Sequence, residues 1–214
     1  MSKEHTARAK EGPAGLFPLF LKLEGRVCLV VGAGVIAEAK IRSLLEAGAR
    51  VRVIAPEANA SIRQWAQAGE ITWDAREFKA SDLEHAFLVI AATSSFHLNE
   101  TIYQEARKRK VLCNAVDDPE HCDFYYGAVV RRGGLQIAIS TAGQSPALAQ
   151  RVRRELEEQF GPEYSRWVDE LGDARRQLFA QEIDPGQRRQ LLHQLASRDA
   201  FHASREHKGG RNAR

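Results

Sequence analysis

Residues Arg26–Lys40 read Arg-Val-Cys-Leu-Val-Val-Gly-Ala-Gly-Val-Ile-Ala-Glu-Ala-Lys, an apolar run that enters a glycine turn and leaves it as a helical pattern. The turn carries Gly32-x-Gly34-x-x-Ala37. Gly32 permits the tight turn, Gly34 has no side chain to keep a pyrophosphate off the backbone, and Ala37 lets the helix lie close to the strand. The helix start then offers unpaired N–H groups and a partial positive charge to phosphates. A second strand pattern, Val51–Ala55, begins after Gly48 and completes a βαβ unit. The competing reading is a glycine turn that binds nothing; the strand before it and the helix after it weigh against that.

The alternation continues. A helix is expected from about Val35 to Ala47 with Ile36, Ala39, Ile41, Leu44 and Leu45 largely on one stripe, then a helix over 58–68 and a short strand over 71–74. The continuous apolar run Phe87–Ala92 suits a strand covered on both faces, and a helix over 97–109 leads to a fifth strand at Val111–Val116. Strands alternating with helices predict an α/β fold, a Rossmann-like doubly wound parallel sheet. Its ligand crevice lies at the carboxyl ends of the strands. Gly32–Gly34, Ala55–Glu57, Ala92–Ser95 and Asn114–Asp118 should therefore surround one site.

After Pro119 the pattern changes. Tyr125–Arg131 and Leu135–Thr141 read as a hairpin turning at Arg132-Gly133-Gly134. Pro146 is placed to open a helix that runs to about Phe160, Gly161-Pro162 breaks it, and helices over 163–181 and 185–195 follow. The expected organisation is a disordered lead-in over 1–15, a nucleotide-binding domain over 16–119, a hairpin region over 120–160, a helical part over 161–205 and a basic tail over 206–214. A two-stranded unit is too small to stand alone, so symmetric pairing into a homodimer is expected.

Composition narrows the class. Among 214 residues, 43% are hydrophobic and 28% charged, which fits an ordinary globular protein. A net charge of +3, with no aromatics interleaved among the basic residues, argues against nucleic acid. The runs Arg107–Lys110, Arg131-Arg132 and Arg151-x-Arg153-Arg154 read either as solvated surface or as a positive field for a polyanion. No cleavable leader or membrane-length apolar run is seen, so a cytoplasmic protein without membrane contact is expected. Cys28 and Cys113 fall in predicted strands and read as core thiols. Cys122, beside His121, reads as a loop thiol without a role in preference to a transient metal ligand, and no metal site is expected. Trp65, Trp73 and Trp167 are expected to pack in the core or between elements.

Several motifs in order carry a resemblance: Phe17-Pro18-Leu19-Phe20, Val30–Lys40, Ala91-Ala92-Thr93, Cys113-Asn114-x-Val116-Asp117-x-Pro119, and Ser140-Thr141-x-Gly143-x-Ser145-Pro146-x-Leu148-Ala149. From Phe17 to about Phe160 the chain resembles the dehydrogenase/ferrochelatase module of the siroheme synthase family. The resemblance implies oxidation of precorrin-2 to sirohydrochlorin with NAD, with Fe²⁺ insertion in some members. It implies NAD contacts at Val35, Ile36, Pro56 and Glu57, with Thr93 on the neighbouring loop. It also implies a catalytic aspartate at Asp117, and Thr141 stands where some members have a serine. The implied fold is a nucleotide-binding domain, a dimerisation region and a small helical domain. The methyltransferase portion of some members is not matched, which suggests the stand-alone form.

Removing two hydrogens needs a hydride acceptor and a destination for a proton. Gly32, Gly34, Val35, Ile36, Ala37, Pro56, Glu57, Ala92 and Thr93 are the expected cofactor residues. The acid that often ends strand two is replaced by Ala55-Pro56, with Glu57 one step on, and NAD is still preferred over NADP. Asp117 is either a base or a positioning group; the competing reading is that Asp117 or Asp118 only organises the turn before Pro119. A tetrapyrrole rich in carboxylates calls for donors, and Asn114, Ser140, Thr141, Gly143 and Ser145 are candidates, although Ser145 also reads as a helix cap. A non-catalytic nucleotide-sensing module would explain the first hundred residues equally well. It gives no reason for the Asn114–Pro119 and Ser140–Ala149 segments. A dehydrogenase without chelatase activity is the third reading.

Overall fold

The computed structural model describes residues 15–201. The lead-in expected over 1–15, save Gly15, and the tail expected over 206–214 lie outside the described residues. The chain divides into two compact units, one ending at Tyr126 and the other beginning at Gly127.

The first unit is a five-stranded parallel sheet in the order β3-β2-β1-β4-β5. The strands are β1 (Val27–Val31), β2 (Arg50–Ile54), β3 (Thr72–Asp74), β4 (Leu88–Ala91) and β5 (Leu112–Ala115). Cys28, Leu29, Val30, Val89 and Ile90 are sealed from solvent, as a central strand covered on both faces requires. Helices α1 (Val35–Glu46) and α2 (Ala60–Gln67) supply Ala37, Ile41, Leu44 and Ile62 to one face. Helix α3 (Phe96–Arg109) and a 3-10 turn at Ala80–Leu83 supply Ile102, Ala106 and Leu83 to the other. Winding in two directions from β1 and β4 makes the gap between them the switch point where such sheets bind ligands.

The apolar stripe of α1 differs from the expected one. Ala37, Ile41 and Leu44 are buried, whereas Ile36 and Ala39 are exposed. Burial follows the i, i+4, i+7 row, and Ile36 lies about 100° round from Ala37, at the mouth of the crevice.

The second boundary also differs. The first unit continues past Pro119 because residues 122–124 return along β5. Asp123 N–H donates to Cys113 O at 2.8 Å, Cys113 N–H donates to the Asp123 carboxylate at 2.9 Å, and Asn114 pairs with Cys122 as an isolated antiparallel bridge. That return ends at the residue before the expected start of the next strand, Tyr125, and delays it. Strand β6 accordingly spans Ala128–Arg132 and pairs antiparallel with β7 (Leu135–Ile139).

In the second unit, helices α4 (Pro146–Gln159) and α5 (Glu163–Ala180) pack on that hairpin, and α6 (Pro185–Leu195) packs on α5. Gly133 turns the hairpin at φ +57°, and a Cβ there would stand 2.2 Å from Ser165 Oγ on α5. Arg132 donates from Nε to Phe160 O at 2.8 Å and from Nη2 to Glu157 O at 3.2 Å, satisfying carbonyls at the end of α4. Trp167 lies among Tyr164 and Phe201, with centroids 5.6 and 4.7 Å away.

Candidate active site

The carboxyl ends of β1, β2, β4 and β5 bring four expected segments together. The two glycines of the turn differ in kind. Gly32 sits at φ +105°, and a Cβ there would lie 2.2 Å from Ala92 O, so the loops after β1 and β4 meet only because this residue has none. Gly34 is extended at φ −87°, and a Cβ there meets nothing within 4 Å. Its lack of a side chain is therefore free space for a ligand and not a packing need.

The opening of α1 fits a phosphate. Helices α2, α3, α4 and α6 start on capping side chains, respectively Asn59, Ser95, Ser145 and Asp184. Helix α1 has Gly34 at its N-cap and no side-chain cap. Its first N–H groups are left to a ligand, as phosphate binding at a helix start requires. Beside them, Val35 and Ile36 are apolar yet 80% and 51% exposed, while Ala37 is buried under the helix. Pro56 and Glu57 are exposed after β2. Asn59 fixes this edge: its amide donates to Glu38 Oε2 at 2.7 Å and its N–H to Ala33 O at 3.1 Å. Asp74, at the end of β3, is engaged by Arg52 at 2.5 Å, whereas Glu57 is exposed and has no ion pair among the described residues.

Asn99, which the sequence reading missed, sets the β4 loop. It is 5% exposed; its Oδ1 accepts the Thr93 hydroxyl at 2.7 Å and its amide donates to Thr93 O at 3.2 Å. Thr93 is thus held rigidly after Ala92, with its hydroxyl already satisfied.

At the end of β5 the two aspartates part company. Asp117 is exposed and sits at φ +61°, a left-handed conformation that asparagine and aspartate tolerate best. Asp118 is drawn in: its Oδ2 lies 2.5 Å from His121 Nδ1, and the imidazole packs edge-on against Tyr103 of α3, centroids 4.9 Å apart. Asp118 therefore organises the turn and Asp117 does not.

Lys40, on α1, faces Asp117. Its Nζ lies 3.8 Å from the centroid of Tyr126. Burial holds its pKa below the usual lysine value, opposed first by the nearby Asp117 carboxylate. The signal for it is a lysine three residues past Ala37, beside the buried row of Ala37, Ile41 and Leu44.

Asn114 is 6% exposed and donates to Phe124 O at 2.8 Å, so any part it has is played through the returning segment. Cys122 is not the idle loop thiol expected: its Sγ lies 3.1 Å from Ala115 O and 3.2 Å from Asp118 O and staples the turn. Burial pushes Cys28 up to about 11 and Cys113 up to about 12, which makes both core thiols inert. Among the described residues no group of three or more His, Cys, Asp or Glu could hold a metal.

In the second unit, Ser140 Oγ accepts Ala142 N–H at 3.1 Å, Thr141 Oγ1 accepts Ser145 N–H at 3.1 Å, and Ser145 Oγ caps α4 through Leu148 N–H at 3.3 Å. The hydroxyls shape the loop. Gly143, at φ +78° with no atom near a would-be Cβ, leaves its backbone open. The basic runs are mostly spent on structure: Lys108 and Arg109 pair with Glu105, Arg151 with Glu155 and Arg153 with Glu157.

Comparison with known proteins finds relatives for both units. Residues 19–128 match a family described as "Putative NAD(P)-binding", and residues 132–159 match "Sirohaem biosynthesis protein central". The siroheme synthase of Photorhabdus laumondii is 44% identical over 140 residues, 65% of this chain and 30% of the relative. Siroheme synthase 1 of Serratia proteamaculans is 38% identical over 174 residues, 81% of this chain and 37% of the relative. The chain thus spans about a third of these relatives. The solved structure titled "SirC, precorrin-2 dehydrogenase" is 26% identical, with a TM-score of 0.75 over 87% of this chain and 92% of that one. Among the described residues, no helix is long and apolar enough to cross a membrane.

Proposed function

The chain belongs to the siroheme synthase family through its NAD(P)-binding module, and from that premise we propose that it oxidises precorrin-2 to sirohydrochlorin with NAD. The observation that carries the reading is the pairing of an uncapped α1 start at Gly34 with an exposed carboxylate, Asp117, at the end of β5. Bound NAD supplies the hydride acceptor. The N–H groups at the start of α1 hold its pyrophosphate, Val35 and Ile36 pack on it, and Glu57 takes the ribose hydroxyls. The Asp117 carboxylate accepts the proton that leaves with the hydride and loses its charge in doing so, with Lys40 as the nearby cation that balances the carboxylate before the transfer. Taken by itself, the Ser140–Ser145 loop of the second unit offers the N–H of Gly143 as a donor suited to a carboxylate. A chelatase step with Fe²⁺ as second substrate would draw on the same Asp117, since the described residues offer no multidentate metal site. All three cysteines are free, and we place the enzyme in the reducing cytoplasm.

The test is an anaerobic incubation of the full chain with precorrin-2 and NAD, followed by absorbance. NADH and sirohydrochlorin should form one for one, and added Fe²⁺ then reports whether chelation follows. Tight NAD binding with no turnover would favour a nucleotide-sensing module instead.

The protein is further expected to be a homodimer through its hairpin. Ile137 and Ile139 are only half-buried beneath α4 and α5, and Leu148 on α4 is 41% exposed. Sedimentation at micromolar concentration should give twice the 23.9 kDa chain mass; a clean monomer would refute the pairing.

A further inference from the structure

We propose that the α5–α6 hairpin carries a binding site for a multivalent anion, separate from the dehydrogenase site and independent of the reading given for it. An open groove of about 630 Å³ lies here, bordered by Arg175 and Phe179 of α5 and by Arg188, Arg189, Leu192 and His193 of α6. A volume of that size falls in the range that takes a small ligand.

Three guanidiniums and an imidazole line this groove and no carboxylate does. Elsewhere in the second unit four helical arginines are paired with a neighbouring acid, Arg151 with Glu155, Arg153 with Glu157, Arg166 with Glu170 and Arg176 with Asp173. Arg175, Arg188 and Arg189 have no such ion pair among the described residues. The acid just before α6 is spoken for: the Asp184 carboxylate accepts the N–H groups of Gly186 and Gln187 at 2.9 and 3.0 Å and caps the helix.

The geometry of the cluster points the same way. The guanidinium carbons of Arg175 and Arg188 lie 4.7 and 4.5 Å from the centroid of the one ring, Phe179, which is 53% exposed. Stacking on a ring offsets part of each cation's desolvation but does nothing for the repulsion between the two. Arg188 is held in place by a bond from Nη2 to Ile183 O at 3.0 Å, while its Nε is the sole buried side-chain nitrogen or oxygen without a partner among the described residues. A buried donor left unmade is costly, and it is rare in native proteins unless something else completes it. An anion placed between the arginines would relieve that repulsion, and a small turn of the Arg188 fork toward it would give Nε a partner.

Planar guanidinium forks suit carboxylates and phosphates alike. Phe179 and Leu192 on the same wall favour an anion borne on an apolar body, so a polycarboxylate on a ring is the preferred source and a polyphosphate the other.

The test titrates the full-length protein with benzene-1,2,4,5-tetracarboxylate and, separately, with inorganic pyrophosphate, by calorimetry and by NMR of the arginine Nε–H signals. Binding should shift the Arg188 signal and weaken at least tenfold in the Arg175→Gln/Arg188→Gln double variant. Circular dichroism and NAD affinity should be unchanged. Arg188→Lys, which keeps charge but loses the fork, should fall between. Arg151→Gln, which removes a paired surface arginine, should have no effect. Tighter binding of the tetracarboxylate supports the carboxylate source, and tighter binding of pyrophosphate supports a phosphorylated one. No binding of either probe, or binding that the double variant leaves intact, overturns the proposal.

Discussion

Gly34→Val should leave a folded protein that no longer binds NAD, while Gly32→Ala should fail at the level of the fold. The difference lies in what each missing Cβ faces. At Gly34 the backbone is extended at φ −87° and the space beyond is empty, so valine meets no protein atom. The cost is limited to a poorer helix start, about 1 kcal/mol. The same side chain would fill the place of the pyrophosphate, and NAD affinity should drop at least ~100-fold, about 2.7 kcal/mol. At Gly32, φ is +105° and the added methyl would lie 2.2 Å from Ala92 O. Backbone strain and overpacking together should remove on the order of 2–6 kcal/mol. NAD titration beside thermal melts separates the two. Unchanged affinity in folded Gly34→Val would sink the binding mode assigned to this turn.

The first unit was largely readable because its constraints are local. A continuous apolar run, a glycine turn and a helical stripe each state their own geometry, and five repetitions fix a parallel sheet. What escaped were contacts between residues distant in sequence. The return of Cys122–Phe124 along β5 leaves no period in the chain; it rests on Asn114 and Asp123, whose polar side chains look like loop residues until their partners are known. Asn99 is similar, a polar residue on the buried side of α3 whose purpose is to hold Thr93. The motif Ser140–Ala149 was legible as important but not as geometry. Its hydroxyls close hydrogen bonds within the loop, and the open group is the backbone of Gly143. Lys40 stood inside the most legible segment of all. It was passed over because a helix surface is full of lysines, and only tertiary structure sets it over Tyr126 and opposite Asp117.

Asp117→Asn should lower turnover by roughly 10²–10⁴-fold with NAD affinity nearly unchanged, if the carboxylate is the proton acceptor. Asparagine is the right replacement because the position is left-handed, φ +61°, and asparagine adopts that conformation almost as readily as aspartate. A loss of activity would then report charge and basicity, with the backbone kept. Asp118→Asn is the matched control. Asp118 points to His121 and α3, so its loss should soften the turn and lower the melting temperature while leaving most of the turnover. A titration of Lys40 supplies a readout that turn structure would not move. Burial lowers the Lys40 pKa and the Asp117 charge opposes that lowering, so removing the charge should let the pKa fall further. Lysine-selective NMR would follow it, with Asp118→Asn leaving it in place. Equal losses of activity in both aspartate variants, with no movement at Lys40, would mean that the loop and not one carboxylate is what catalysis needs. Full activity in Asp117→Asn would leave the bound cofactor and substrate positioning as the whole mechanism.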